Sequence, residues 1–181
     1  MRLFIGTSLE RFFASKLSLP FNDFKKRVTG RVKWVKPENT HITYCFLGDV
    51  DEKRKGNLVS IVNGLSFKRF DISVSGLGAF PSLKKPRVIW LQISEGFEEL
   101  KSIAEALYSG LSREGFMLRN DFFPHITIGR VKEKINLPQS APEFGNPDLK
   151  FEISECSLIQ SILTSNGPVY KTLFRKELLG C

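Results

Sequence analysis

The sequence predicts an α+β fold rather than a doubly wound parallel sheet. Predicted strands and helices are interspersed along the chain, and at least one connection is short enough to join neighbouring antiparallel strands. A three-residue pattern that opens one strand at residue 41 recurs at residue 125, which favours two related lobes. With 41% hydrophobic residues and 16 Phe, the chain can bury a sizeable core, so residues 1–181 are predicted to form a single domain.

The first half of the chain predicts a mixture of strands and helices. The apolar run at 2–6 is typical of a buried strand. Apolar residues at helical spacing between 9 and 28 predict a helix that is interrupted at Pro20 and ends near Gly30. The next predicted elements are extended segments at 32–35 and 41–47 and a second helix from about 52 to 65.

The second half continues this mixture. Apolar residues at 70–77 predict a strand, and Gly76-Leu77-Gly78 is interpreted as a turn, because it lacks the third glycine and the following helix of a dinucleotide-binding loop. The clearest helix covers roughly 97–114, with acidic residues in its first turn and Gly115 after its end. The other predicted elements are strands at 88–93, 125–131, about 150–160 and 168–175, and a Pro-rich loop from Leu137 to Pro147.

Charge and cysteine usage narrow the possible classes of function. A net charge of +8 and a pI near 9.5 favour a polyanionic partner, although a basic solvent-exposed surface fits equally well. Cys45, Cys156 and Cys181 form neither a metal-binding pair nor an even-numbered disulfide framework. The N-terminus does not look like a signal peptide, and no apolar stretch approaches the ~20 residues that span a bilayer. We therefore expect a cytoplasmic protein without a membrane partner.

Both histidines of the chain open the same pattern on a predicted strand. His41-Ile42-Thr43 begins one strand and His125-Ile126-Thr127 begins another. Side chains alternate along a strand, so each histidine shares a face with its threonine while the isoleucine points into the core. One such triplet is weak evidence, because a single strand histidine is more often structural. Two triplets that account for every histidine in the chain favour a shared site.

Two imidazoles that face each other across a groove suit the cleavage of a phosphodiester. Imidazole titrates near pH ~6.5, so one ring can carry a proton while the other lacks one. The reaction needs a base to deprotonate the attacking water and an acid to protonate the leaving oxygen. Threonine hydroxyls and a basic residue can hold the non-bridging oxygens. Two histidines and scattered carboxylates form no cluster of metal ligands, so we expect neither a metal nor another cofactor.

The segments around both triplets resemble a known family. His41-Ile-Thr43-Tyr-Cys-Phe46-Leu47-Gly48 and His125-Ile-Thr127-Ile-Gly-Arg130 are similar to the paired His-x-Thr motifs of the two-histidine phosphoesterase superfamily. Within that superfamily the similarity is to the RNA 2′,3′-cyclic phosphodiesterase (LigT-like) family, and it covers nearly the whole chain. Further segments that look like family landmarks are Met1–Gly6, Trp34–Asn39, Gly76–Pro81, Arg87–Trp90, Ser161–Thr164 and Gly167–Tyr170.

The resemblance implies a bilobal fold of two related halves, each with an antiparallel sheet and helices, and an active-site groove between the lobes. It implies hydrolysis of an RNA-terminal 2′,3′-cyclic phosphate to a 2′-phosphomonoester, with His41 as the proton donor and His125 as the proton acceptor. Thr43 and Thr127 match positions that bind the phosphate, and Arg130 matches a basic residue that often follows the second motif. The implied partner is RNA with a cyclic phosphate end, tRNA fragments included, and we expect a monomer.

Strand alternation raises two questions about the flanking residues. Cys45 is predicted to share the face of the first histidine and so to border the groove, whereas Tyr44 and Phe46 are predicted to face the core. Arg130 falls on the face opposite its own histidine. A phosphate-binding role for Arg130 therefore requires a twist, a bulge or a strand end, and plain surface charge is the alternative.

Two alternatives to this hydrolase remain open from sequence. Phosphoryl transfer of the reverse type would make the protein a 2′–5′ RNA ligase that joins RNA halves. A protein of a different class would use a basic groove only to bind RNA, but binding alone needs no pair of titrating imidazoles. Candidate RNA contacts are Lys25, Lys26, Arg27, Arg31 and Lys33 with Trp34 for stacking, and Lys84, Lys85 and Arg87. Core packing is the favoured interpretation of Trp34, and a solvated loop fits residues 84–87 equally well.

Overall fold

The computed structural model describes residues 1–118, 121–137, 149–165 and 167–180. Its strands are β1 Arg2–Ser8, β2 Val32–Trp34, β3 His41–Asp49, β4 Phe70–Phe80, β5 Val88–Glu95, β6 His125–Val131, β7 Lys150–Ile153, β8 Glu155–Thr164 and β9 Gly167–Glu177. Its helices are α1 Glu10–Phe12, a π-helical turn Phe13–Leu17, α2 Ser18–Arg27, α3 Lys55–Asn63 and α4 Phe97–Arg113, with 3-10 turns at Pro37–Asn39 and Glu52–Arg54. The described strands form two sheets, in the orders β3-β1-β8-β9 and β2-β6-β5-β4-β7. All pairings between these strands are antiparallel, so the predicted α+β fold is confirmed.

Each sheet is assembled from both halves of the chain. In the first sheet the N-terminal strand β1 pairs with β8, and Leu3 lies opposite Gln160. In the second sheet the early strand β2 pairs with β6, and Val32 lies opposite Val131. The two histidine strands consequently belong to different sheets, β3 to the first and β6 to the second.

The helices cover one sheet each and contribute aromatic side chains to the core. Helices α3 and α4 pack against strands of the first sheet. The α1–α2 segment packs on the second sheet, with the Phe12 ring 5.3 Å from that of Phe151, and the rings of Phe21 and Phe24 at 5.5 and 5.9 Å from that of Trp34. Burial of one such phenyl group stabilises a fold by about 1.5–3 kcal/mol, so these contacts fix β2 in place.

Pro20 does not interrupt the first helical stretch, contrary to the prediction. It lies inside α2, and the irregularity is upstream, in the π-helical turn Phe13–Leu17, where the Ser18 N–H donates to the Phe13 carbonyl. Proline has no N–H to donate to the carbonyl of Lys16, four residues earlier, and its ring crowds that carbonyl in a regular α-helix. A π-helical turn is a known way for a helix to absorb such a conflict and continue.

The glycine pair of β4 serves packing within a sheet. Gly76 and Gly78 do not form the predicted turn, because β4 continues through both of them to residue 80. The pairing with β5 shifts register between Val74 and Leu77, and Gly76 has a φ of 75°, the geometry of a bulge. A Cβ at Gly78 would overlap the indole of Trp90, so this glycine makes room for the ring.

Two other sequence predictions need correction or fall outside the described residues. The strand predicted at about 150–160 is two strands that separate at Ser154, β7 in the second sheet and β8 in the first. Of the predicted Pro-rich loop, residues 138–147 lie outside the described part of the chain, as does Cys181. No helix among the described residues has the length and apolar character needed to cross a bilayer.

Candidate active site

The five residues predicted for the site lie around one cavity of about 340 Å³, which we call the histidine cavity. His41 and Thr43 reach it from β3, and His125, Thr127 and Arg130 reach it from β6. The cavity therefore lies between the two sheets. Its other lining residues are Lys33, Trp34, Val35, Lys36, Asn39, Lys132, Pro168 and Tyr170.

A backbone carbonyl holds each imidazole in the same way. The Nδ1 atom of His41 lies 2.6 Å from the Asn39 carbonyl oxygen, and that of His125 lies 2.8 Å from the Phe123 carbonyl oxygen. In both cases the partner is two residues before the histidine. A carbonyl can only accept, so Nδ1 carries the hydrogen in both rings and Nε2 is left as the atom that takes up or releases a proton.

Aromatic side chains restrict the rotation of both rings. The ring of His41 packs with its centroid 5.0 Å from that of Phe4 and 5.0 Å from that of Tyr170, which meets it edge to face. These neighbours come from β1 and β9, so two further strands of the first sheet take part in positioning the imidazole. The ring of His125 has aromatic neighbours at Phe80, Trp90 and Phe123, with centroids at 5.3, 5.9 and 6.4 Å.

Burial disfavours the protonated form of both imidazoles. Desolvation lowers the pKa of His41 below 6.5 against the opposing effect of its hydrogen bond to Asn39, and the charges of His125 and Arg130 lower it further. The pKa of His125 is lowered by desolvation first and by Arg130 to a smaller degree, while the hydrogen bond to Phe123 raises it. A negative charge bound between the rings favours the protonated form and so raises both pKa values.

Both histidine strands contain a β-bulge at the third residue after the histidine. Along β3, Thr43 pairs with Gly6 and Cys45 pairs with Ile5, so Tyr44 is the extra residue. Along β6, Thr127 pairs with Trp90 and Gly129 pairs with Ile89, so the extra residue there is Ile128. A bulge shifts the alternation of side chains beyond it by one position.

The bulges change the predicted orientation of the flanking residues. Cys45 is buried at 1% exposure and burial raises its thiol pKa to about 12, so the prediction that it borders the groove is wrong. Phe46 is 52% exposed, so its predicted core position is also wrong, whereas Tyr44 is buried as predicted. Arg130 lies on the wall of the histidine cavity. Strict alternation would place its side chain on the opposite face of β6, and the bulge at Ile128 moves it to the face of His125.

A second cavity, of about 390 Å³, adjoins the first and is lined mainly by apolar and aromatic side chains. We call it the aromatic cavity; it shares Thr43 and His125 with the histidine cavity. Its other lining residues are Tyr44, Phe46, Tyr108, Met117, Leu118, Asp121, Phe122 and Phe123. A larger cavity of about 610 Å³ between α3 and α4 contains neither histidine.

Sequence reasoning assigned no role to several residues of the site. Tyr170 arrives from β9, and only the family resemblance of its segment pointed to it. Burial raises the pKa of Tyr170, so its phenol stays a neutral hydroxyl. Asn39 contributes a backbone carbonyl, and its side chain donates to the Pro168 carbonyl oxygen at 3.0 Å. Within the described ranges, no group of three or more His, Cys, Asp or Glu side chains is placed to hold a metal ion.

Comparison with known proteins identifies the family. The sequence model described as LigT-like phosphoesterase matches the chain twice, at residues 13–90 and 91–170. The RNA 2′,3′-cyclic phosphodiesterase of Archaeoglobus fulgidus is 38% identical over 179 residues, which cover 96% of this chain and 98% of that protein. Among solved structures, a protein of Thermus thermophilus has a TM-score of 0.77 at 26% identity and 99% coverage of both chains. The apo form of E. coli LigT has a TM-score of 0.76 at 25% identity, covering 98% of this chain and 96% of its own. The chain belongs to the LigT-like phosphoesterase family.

Proposed function

We propose that the protein hydrolyses the 2′,3′-cyclic phosphate at the end of an RNA chain and leaves a 2′-phosphomonoester. One observation carries the proposal: two imidazoles with the same backbone hydrogen bond, one from each sheet, line one cavity with two threonines and an arginine. The name of the Archaeoglobus fulgidus relative, which matches almost the full chain, supports the choice of substrate. RNA fragments, tRNA fragments among them, are the proposed substrates. One chain supplies both histidines, so the proposed catalyst is a monomer.

The two imidazoles carry the two proton transfers. Nε2 of His125 takes a proton from a water molecule, whose oxygen then forms a bond to phosphorus. The bond from phosphorus to O3′ breaks, and Nε2 of His41 gives its proton to O3′, so the phosphate remains on O2′. The reaction leaves His125 protonated and His41 neutral, and exchange with solvent restores the starting state. In both rings the carbonyl that accepts from Nδ1 stabilises the cationic form.

The remaining residues of the cavity bind the phosphate. The hydroxyls of Thr43 and Thr127 donate to non-bridging oxygens, and the Arg130 guanidinium balances negative charge that builds up on them. The negative charge of the bound cyclic phosphate also raises the pKa of His41. This buried imidazole is then protonated and has the proton that it must donate. Binding and protonation of the acid are thus coupled.

The proposal is tested by incubating the purified protein with adenosine 2′,3′-cyclic phosphate in excess EDTA and identifying the product by phosphorus NMR. We expect turnover to persist, because two imidazoles supply both proton transfers without a Lewis acid, and the product to be adenosine 2′-phosphate. Loss of turnover on chelation with recovery on a divalent ion would contradict the metal-independent mechanism. A mainly 3′-phosphate product would contradict O3′ as the leaving group. RNA binding without turnover would instead indicate a binding module.

A further inference from the structure

The two adjoining cavities differ sharply in chemistry. The described residues that line the histidine cavity include four cationic side chains and no acidic one: Lys33, Lys36, Arg130 and Lys132. The aromatic cavity holds no Lys or Arg among its described lining residues. The cyclic phosphate of a substrate carries one negative charge, so the cations of the histidine cavity exceed what that group requires.

Three of these cations are held close together without acidic partners. Lys33 of β2 lies directly opposite Arg130 of β6 in the strand register, an arrangement of like charges that destabilises a sheet. Lys132 is two residues beyond Arg130 and lines the same cavity. In the described part of the chain none of the three forms a salt bridge, although the nearby Glu133 does so with Arg31, outside the cavity.

Lys33 also reaches across the groove between the sheets. Its ammonium group lies beside Gly167, the first residue of β9 in the first sheet, where a Cβ on Gly167 would be 3.2 Å from Nζ. Lys33 therefore lies near both walls of the groove. We call the part of the histidine cavity that Lys33, Arg130 and Lys132 line its basic end. Lys36 differs, because its ammonium is 3.9 Å from a carboxylate oxygen of Glu38.

We propose that Lys33 and Lys132 form a second phosphate-binding site, which takes the phosphodiester between the terminal nucleotide of RNA and the nucleotide before it. The inference rests on the proposed function. A terminal nucleotide has its base on C1′, its cyclic phosphate on O2′ and O3′, and the rest of the chain on O5′. With the cyclic phosphate between the histidines, the aromatic cavity offers stacking surface to the base and the basic end offers charge to the 5′ phosphate. The site thereby selects oligonucleotides with a cyclic phosphate end over a single nucleoside 2′,3′-cyclic phosphate.

The test compares kcat/KM for three substrates at low ionic strength: adenosine 2′,3′-cyclic phosphate, its 5′-phosphorylated form, and the dinucleotide ApA with a 2′,3′-cyclic phosphate end. We expect the 5′ phosphate, as a monoester or as a diester, to raise kcat/KM severalfold, by up to about fivefold for each of the two lysines, the effect of a solvent-exposed ion pair at low salt. The gain should vanish in the double variant Lys33→Gln, Lys132→Gln. It should persist in the matched control Lys53→Gln, Lys101→Gln, which removes the same charge outside both cavities.

Each outcome bears on a separate claim. Turnover of adenosine 2′,3′-cyclic phosphate without a gain from the 5′ phosphate, or a gain that survives the double substitution, would overturn the second site alone. A gain confined to the 5′-monoester would overturn its assignment to the internucleotide phosphate. Absence of turnover with all three substrates, in a protein shown to be folded by circular dichroism, would overturn the proposed function and the second site with it.

Discussion

At the residue scale, the site depends on the backbone around each histidine. Both imidazoles are bound through Nδ1 to the carbonyl two residues earlier, so one local conformation of the chain fixes the tautomer in both motifs. That carbonyl belongs to Asn39 in one case and Phe123 in the other, so the interaction does not depend on a particular side chain. A pattern search by residue type therefore finds the histidines and misses the groups that orient them.

The two histidines are expected to act as a unit. A positioned acid or base contributes about 10²–10⁴-fold, so His41→Ala and His125→Ala should each lower kcat/KM for adenosine 2′,3′-cyclic phosphate by that factor. Each proton transfer is useful only while the other occurs, so the double variant should be scarcely slower than either single variant.

The control for these variants is Cys45→Ala. This thiol is buried and its pKa is raised by burial to about 12, so its removal should leave kcat/KM near that of the parent. Circular dichroism and thermal unfolding should show that all variants are folded. Substantial turnover in either histidine variant would contradict the two-histidine mechanism. A large loss of kcat/KM in the cysteine variant would make Cys45 a candidate catalytic group.

At the element scale, the periodicity of a strand predicts its orientation only as far as the first bulge. Alternation placed His41 and Thr43 on one face correctly, because both precede the extra residue Tyr44. Beyond it, alternation assigned Cys45 and Phe46 to the wrong sides. A bulge is a property of the pairing between two strands, and a single strand sequence does not show where its partner skips a residue. The same reasoning explains why Arg130 looked misplaced from sequence.

The bulge in β6 makes Arg130 a test of the phosphate site. Arg130→Ala should lower kcat/KM about 10–100-fold, the effect of losing a hydrogen bond to a charged group, because the guanidinium lines the cavity on the same side as the histidine. Arg130→Lys should recover part of the loss, since it restores the charge without the bidentate geometry.

The matched control is Arg31→Ala, which removes an arginine at the start of the same strand pair but outside the cavity. The Arg31→Ala variant should keep the kcat/KM of the parent for adenosine 2′,3′-cyclic phosphate. Steady-state kinetics and thermal unfolding of the three variants check the prediction. Equal kcat/KM for Arg130→Ala and the parent would make Arg130 an ordinary surface residue.

At the scale of the whole molecule, the repeat in the sequence indicates two lobes but not how the chain builds them. The family model matches residues 13–90 and 91–170, yet each sheet takes strands from both segments. Strand β2 crosses to the second sheet, and β8 and β9 return to the first. Pairing between strands that are distant along the chain depends on long-range contacts. A local sequence pattern does not show these contacts, so the exchange of strands could not be predicted from the sequence. It brings Tyr170 from β9 to His41 and Lys33 from β2 to Arg130.

Both imidazoles line one groove between the two sheets, where their charge states depend on each other and on the substrate. Burial lowers both pKa values below 6.5, and the charge of Arg130 lowers both further. Turnover requires one neutral and one protonated imidazole. Activity falls at low pH because the base is protonated and at high pH because the acid is deprotonated. The two limbs of such a bell belong to the coupled pair, not to one residue.

The pH profile should therefore differ between free enzyme and complex. The maximum of kcat/KM, which reports the free enzyme, should lie below pH ~6.5, because both pKa values are depressed from that value. The maximum of kcat should lie at higher pH, because the bound phosphate anion favours both imidazolium forms. Arg130→Ala should move the kcat/KM maximum upward as well, since it removes a cation that disfavours protonation. Initial rates at constant ionic strength across both limbs measure these shifts. A kcat/KM maximum above pH ~6.5 would contradict the lowered pKa values of the two histidines in the free enzyme. A kcat maximum at lower pH than that of kcat/KM would contradict the proposal that substrate binding raises the pKa of the acid histidine and so protonates it.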